Sequence, residues 1–305
     1  FYFLYPESAV DNGDLLPAAV LYPSGSFDFV FAPTPGDVLS GTHFAEPSRL
    51  DSGWAIRHTF VTLGMLPEEF ETEQHTGALP LALAEEGVAV MIPVNCWGDM
   101  WHNRANIAGN DFPSDLFNRD GRTAAEWGYE FLVDPLKAAS YQVDLPVQID
   151  ANQVYLIGLG EGGRAVTEVL SVDADADGLP DYSPAGALID SHTEDLSVLY
   201  DDPSRFGNAV AGLNRIFVDG DVDSGSLATA NLPDRFGYVF AEGDSEVPIE
   251  SHERAISVIS ENPGYWLYVD ADARHILLNN DDIDLARDAV AYLRTGVVPG
   301  AGDGN

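Results

Sequence analysis

The segment V-Y-L-I-G-L-G-E-G-G-R, from Val154 to Arg164, constrains this chain more than any other. An unbroken apolar run, Val154–Leu159, passes through Gly158, Gly160, Gly162 and Gly163 straight into a helical pattern over 162–170. A buried strand delivered into a helix by a tight turn is the repeating unit of a parallel sheet covered on both faces. The rest of the chain follows the same alternation. Apolar strand patterns occur at Phe1–Tyr5, Ala18–Tyr22, Val88–Val94, Ala185–Ile189, Phe236–Ala241 and Tyr265–Val269. Helical patterns occur at Gly77–Glu86, Thr123–Ser140, Ile249–Ile259 and Asp281–Arg294, the last with acids in its first turn and Arg294 in its last, as the helix dipole favours. Asp134-Pro135 interrupts the Thr123–Ser140 pattern, so the helix breaks or kinks there, or a new one starts with Asp134 as its cap. His58–Met65 fits strand or helix equally.

Two motifs compete for the glycine turn. Gly158, Gly160 and Gly163 satisfy G-x-G-x-x-G, the dinucleotide-binding spacing. That motif calls for an acidic residue at the end of the next strand, ~20 residues on. Here the corresponding stretch is an aspartate-rich loop, Asp173–Asp181, and the turn lies in mid-chain rather than after a first strand. The alternative is the nucleophile elbow, G-x-S-x-G, with Gly158 and Gly162 as its outer glycines. The nucleophile position then falls on Gly160, which has no side chain with which to attack.

Downstream residues favour the elbow, which requires an acid and then a histidine in chain order. The strand Phe236–Ala241 runs into Glu242-Gly243-Asp244-Ser245-Glu246-Val247-Pro248, which is similar to the small-x-x-D-x-x-V-P loop of α/β hydrolases, with Asp244 as the acid. Past the strand Tyr265–Val269, Ala271-Asp272-Ala273-Arg274-His275 places a histidine before the final helix. The chain therefore resembles α/β-hydrolase-fold proteins of the serine esterase, lipase and peptidase kind, over nearly its whole length.

The resemblance implies a single α/β-hydrolase domain over residues 1–296, with a mostly parallel central sheet and helices on both faces. It also implies a cap or lid at 191–232; composition by itself reads a Pro-, Gly- and Ser-rich surface insertion at 33–54 and a flexible tail at 297–305. His275 becomes the general base and Asp244 its orienting acid. The oxyanion donors fall in the Pro23–Phe27 loop, at Gly25 and Ser26, and on the backbone N–H of Glu161. The loop has no histidine where secreted esterases carry one. The implied function is a carboxylic ester hydrolase lineage acting on a small-molecule or polymeric ester. Its nucleophile is absent because the sequence was altered at position 160 or because the natural protein lost it. The alternative is a natural pseudohydrolase with a binding or structural role at a surface. Trp97, Met100 and Trp101 line an acyl pocket or simply pack.

Charge bounds the partners. Lys+Arg total 14 against 50 Asp+Glu, a net charge of −36 over 305 residues, which opposes binding to nucleic-acid phosphates or anionic lipid. No apolar run approaches the ~18 residues of a membrane span. Lys137 is the only lysine. Scarce lysine with excess carboxylate suits a saline habitat, and equally a genome rich in Arg, Asp, Ala and Gly codons. Cys96 is the only cysteine, so no disulfide forms within the chain. A start at Phe1 without a signal-peptide pattern suggests a mature or trimmed form.

The loop Asp173-Ala174-Asp175-Ala176-Asp177-Gly178-Leu179-Pro180-Asp181 fits D-x-D-x-D-G-x-x-D. Asp173, Asp175 and Asp177 can converge on a hard cation, Leu179 can add its carbonyl and Asp181 a ninth-position oxygen. Pro184 stands where an EF-hand has its glutamate. The loop resembles the short calcium loops of thrombospondin-type repeats, and implies structural Ca2+ and an extracellular, secreted protein. A weaker echo at Asp219–Gly225 reads as a solvated acidic loop. His43, His58, His75, His102, His192 and His252 show no metal-ligand spacing and read as surface or core residues.

Overall fold

The computed structural model describes residues 2–22, 54–58, 78–92, 126–141, 143, 145–172, 179–191, 227, 230–244, 247, 249–271, 277–278 and 283–300. Eight strands are described: β1 (Tyr2–Pro6), β2 (Leu15–Tyr22), β3 (Trp54–His58), β4 (Ala89–Ile92), β5 (Gln148–Leu159), β6 (Gly186–Asp190), β7 (Phe236–Ala241) and β8 (Trp266–Asp270). They form one sheet in the order β3-β1-β4-β2-β5-β6-β7-β8. β1 runs antiparallel to both its neighbours, and every other described pairing is parallel.

The central strands β2, β4, β6 and β7 and the second half of β5 are largely apolar because each face meets a separate core. Ala18, Val20 and Tyr22 of β2, with Val154 and Leu156 of β5, join one cluster; Ala19 and Leu21, with Tyr155 and Ile157, join the other. The first cluster is covered by residues 126–133, which are helical, and by α3 (Pro135–Ser140), α4 (Glu161–Leu170) and α5 (Glu253–Ser260). The second is covered by α2 (Ala78–Glu85) and α6 (Ile283–Thr295). This alternation across a pleated sheet is why β4, β6 and β7, buried along their whole length, lack the polar face of a half-exposed strand.

Several boundaries differ from the sequence reading. The connection after β1 is a short helix, α1 (Glu7–Asn12), for which no helical pattern was read. β2 begins at Leu15 rather than Ala18, and β5 at Gln148 rather than Val154, because main-chain pairing extends the two together past the apolar run of β5: Leu15 pairs with Gln148 and Leu16 with Ile149. Trp54 and His58, at the ends of the expected insertion and the ambiguous segment, bound the edge strand β3. Pro135 opens a new helix: the Asp134 carboxylate accepts the N–H groups of Leu136 (3.0 Å) and Lys137 (3.1 Å). The start of the 249–259 helix is a 3-10 turn, Ile249–His252. Past α6, Val298 packs against the second core, so the expected tail is described as far as 300, while 301–305 lie outside the described residues.

Cross-links between elements use arginines. The Arg287 guanidinium grips both oxygens of Glu85 (2.7 and 2.8 Å), joining α6 to α2. Arg235 donates to the Leu293 and Arg294 carbonyls (both 2.9 Å) at the end of α6, where positive charge is favoured.

Candidate active site

The glycine turn is built as an elbow. Gly160 follows β5 with φ 54° and ψ −122°, and α4 starts at the next residue. A side chain is strained in that conformation, so the turn tolerates glycine with least cost. A Cβ on Gly158 would lie 2.6 Å from the Gly163 Cα, so strand and helix approach too closely for any side chain there. The Gly163 N–H closes the turn on the Gly160 carbonyl at 2.9 Å. Glu161 opens α4, so its N–H is among the first amides of the helix, which have no intrahelical acceptor. That is the chemistry an oxyanion donor needs.

The carboxyl ends of β5 to β8 lie side by side. Leu159 pairs with Asp190, Asp190 with Val239, and Ala241 with Asp270. Each chain continues one residue past this register. The Gly160 N–H donates to the Asp190 carbonyl (2.7 Å), that of Ser191 to the Val239 carbonyl (2.8 Å), and that of Glu242 to the Asp270 carbonyl (2.8 Å). The position for a nucleophile, the end of β6 and the acid loop therefore line one edge of the sheet, where open α/β sheets bind ligands.

Asp244 lies on the turn after β7 and is 2% exposed. Its N–H reaches back to the Ala241 carbonyl (3.3 Å), and its Oδ1 accepts the Val247 N–H (3.1 Å). The side chain is thus held by its own loop rather than left mobile, as an orienting acid requires. His275, Gly25 and Ser26 lie outside the described residues, as do Trp97, Met100, Trp101 and most of the expected cap at 191–232.

The expected cation loop is described only at its end. Asp173, Asp175 and Asp177 lie outside the described residues; Leu179 and Asp181 are exposed. The Asp181 N–H donates to the Val172 carbonyl (3.0 Å), which pinches the loop at its base. Among the described residues no group of three or more His, Cys, Asp or Glu side chains could hold a metal ion, and no helix is long and apolar enough to cross a membrane. His252, read as a surface or core residue, lies in the core: it is fully buried, stacked on Phe240 at 4.4 Å, with Nδ1 2.7 Å from the Tyr238 hydroxyl.

Two residues at this edge escaped the sequence reading. Asp190 is fully buried, its Oδ2 accepting the Leu278 N–H (2.6 Å) and its Oδ1 the Ser191 hydroxyl (2.8 Å). Ser191, also buried, has φ 54°, the only positive φ at a non-glycine among the described residues. The available signal was an aspartate directly ending an apolar strand, in Ala187-Leu188-Ile189-Asp190.

No family model and no curated protein sequence matches the chain. Solved structures do. Esterase B from Lactobacillus rhamnosis superposes with a TM-score of 0.51 at 13% identity, over 93% of this chain and 77% of that one. Esterase 2 from Thermogutta terrifontis, phosphonylated by sarin, gives 0.51 at 14%, over 98% and 91%. Oligopeptidase B from Leishmania major gives 0.52 at 13%, over 98% of this chain but 35% of its own length. At such identities the likeness is one of fold.

Proposed function

Since the chain has the α/β-hydrolase fold, we propose that it descends from carboxylic ester hydrolases of that fold, with glycine now standing at the nucleophile position. The observation that carries this reading is the backbone of Gly160, φ 54° and ψ −122° between β5 and α4, with Asp244 fixed on the turn after β7. An elbow and an acid loop on the same sheet edge are the two parts of a triad that the main chain itself must build.

In this reading the remaining residues are poised to serve a hydroxyl at position 160. His275 takes the hydroxyl proton as oxygen attacks the ester carbonyl, then returns it to the leaving alcohol. Asp244 holds the imidazole in the right tautomer and stabilises its cation. The Glu161 N–H, with Gly25 and Ser26, receives the charge that develops on the carbonyl oxygen. With glycine at 160 the site has nothing to activate. An oxyanion hole alone retains roughly 10³–10⁴ over water, far below a working triad.

A second reading follows from the glycine itself: a natural pseudohydrolase that binds a small-molecule or polymeric ligand at this edge, or acts structurally at a surface. One experiment separates the two. The Gly160→Ser protein is treated with a fluorescent phosphonate and assayed on short-chain esters. The hydrolase reading expects labelling and turnover, both absent in the unmodified protein. A folded Gly160→Ser protein that neither labels nor turns over supports the binding or structural role.

The protein is further read as secreted and calcium-stabilised. Asp173, Asp175, Asp177 and Asp181 with the Leu179 carbonyl form an all-oxygen donor set suited to a hard cation, and the Asp181–Val172 hydrogen bond supports a loop closed on itself. Calcium there would neutralise carboxylates and brace the connection between α4 and β6.

A further inference from the structure

We propose that the outer edge of β8 is a strand-pairing surface for a second copy of this chain. β8 closes the described sheet on one side, with β7 as its only described neighbour. The Asp270 carbonyl accepts the Glu242 N–H at 2.8 Å, so the main chain of Asp270 faces β7. Main-chain groups point alternately to either side along a strand, so those of Leu267 and Val269 point away from the sheet. Their N–H and C=O groups form a short template for another strand. The side chains of these two residues share one face of β8. Val269 is 40% exposed although apolar, and Leu267 is half-buried.

Edges of this kind are ordinarily guarded by lysine, proline, a bulge or a charge. β8, W-L-Y-V-D, has no lysine or proline, its register with β7 is unbroken, and its single charge is the last residue, Asp270. The whole stretch Asn262–Val269, N-P-G-Y-W-L-Y-V, carries no charged side chain, in a chain of which 21% is charged. β3, at the opposite edge, contains Arg57.

Charge and symmetry select the occupant. Chains of net charge −36 repel one another, and a neutral strand is where two of them approach at least cost. A charged peptide would meet no opposite charge along Asn262–Val269 to hold it. A two-fold axis at Tyr268 sets two β8 strands antiparallel, with Leu267 opposite the second copy's Val269. Both are outward residues, so each such pair exchanges two main-chain hydrogen bonds and sets the exposed Val269 against an apolar side chain. The same register leaves the two Asp270 residues at opposite ends of the ladder, each across from a Trp266, so no like charges are opposed. One surface used twice joins two of the described eight-stranded sheets into one. The pairing does not depend on the chain being a hydrolase.

The test uses the full chain. Sedimentation is followed up to about 1 mM protein, in dilute buffer and in molar NaCl, where the screening length is ~3 Å. A monomer–dimer equilibrium that tightens with salt is expected, because screening removes the repulsion between copies but not the pairing. The Leu267 and Val269 amides should exchange with solvent quickly in dilute monomer and slowly in the dimer. Val269→Lys and Val269→Glu, opposite in charge, should both raise the dissociation constant about tenfold or more, since each dimer loses two cross-strand contacts. Val10→Lys, at an exposed apolar site on α1, should leave it nearly unchanged. A chain that stays monomeric throughout overturns the proposal: fast amides then leave the edge open to a different partner, and slow ones show it covered within the chain. A dimer whose Leu267 and Val269 amides still exchange fast, or which survives both Val269 variants, is formed elsewhere and overturns it too. If neither variant folds, the concentration dependence of exchange in the unmodified protein decides alone.

Discussion

A Cβ on Gly158 would meet the Cα of Gly163 at 2.6 Å, so the last turn of β5 and the first turn of α4 touch backbone to backbone. Gly158→Ala should therefore force main chain apart, costing about 1–3 kcal/mol or more as overpacking does. Gly13 is the control. It has φ 65° but open space around its Cβ position, so Gly13→Ala should cost only the backbone strain, about 1 kcal/mol. Thermal melts of the two variants should rank Gly158→Ala clearly lower; equal melting temperatures would show that the strand–helix contact relaxes freely.

Restoring an oxygen at position 160 should separate activity from stability. Gly160→Ser and Gly160→Ala both place a side chain at φ 54°, at an expected cost of ~1–3 kcal/mol. Both should melt lower than the unmodified protein by similar amounts, while only the serine variant labels with phosphonate. A serine variant as stable as the glycine form would mean that the turn is not strained.

Chelation probes the aspartate loop. Calcium at ~100 times its dissociation constant should stabilise the protein by about 2.7 kcal/mol. Melting curves in EDTA and in millimolar calcium, at matched ionic strength, should differ, and Asp175→Asn should remove the difference. Superimposable curves would reject the cation site.

Salt probes the net charge of −36. The screening length falls from ~30 Å at 0.01 M to ~3 Å at 1 M, so mutual repulsion among carboxylates should fade across that range. With calcium held constant, the melting temperature should rise from dilute buffer to molar NaCl. A flat or falling curve would assign the composition to codon usage.

Acid should release the α2–α6 clasp. Hydrogen bonds from Arg287 hold the Glu85 carboxyl below its ordinary value of 4.5. A carboxyl depressed on folding contributes stability above its unfolded value, and that contribution is lost as pH falls through the folded one. Both side chains are partly exposed, so the effect is small. The stability difference between the unmodified protein and Glu85→Gln should be constant above pH 5 and shrink below about pH 4.5. A difference that persists to pH 2 would show that Glu85 contributes through packing alone.

Local sequence was enough for much of this protein. Apolar runs located the parallel strands, Asp134-Pro135 marked a break, kink or start in the helix, which the structure resolves as a start, and Gly158 to Gly163 defined the elbow, because each depends on residues in contact along the chain. The turn at Asp244 was legible for the same reason: its carboxylate accepts the N–H of Val247, three residues along the chain. What sequence periodicity could not reveal was partnership at a distance. β3 joins the sheet edge beside β1, and Asp190 meets Leu278 across 88 residues. An aspartate ending a strand looks the same whether it faces water or a buried amide. Only closure of the sheet, with β6 fixed between β5 and β7 and α6 packed over Leu278, decides that this one is buried and what it holds.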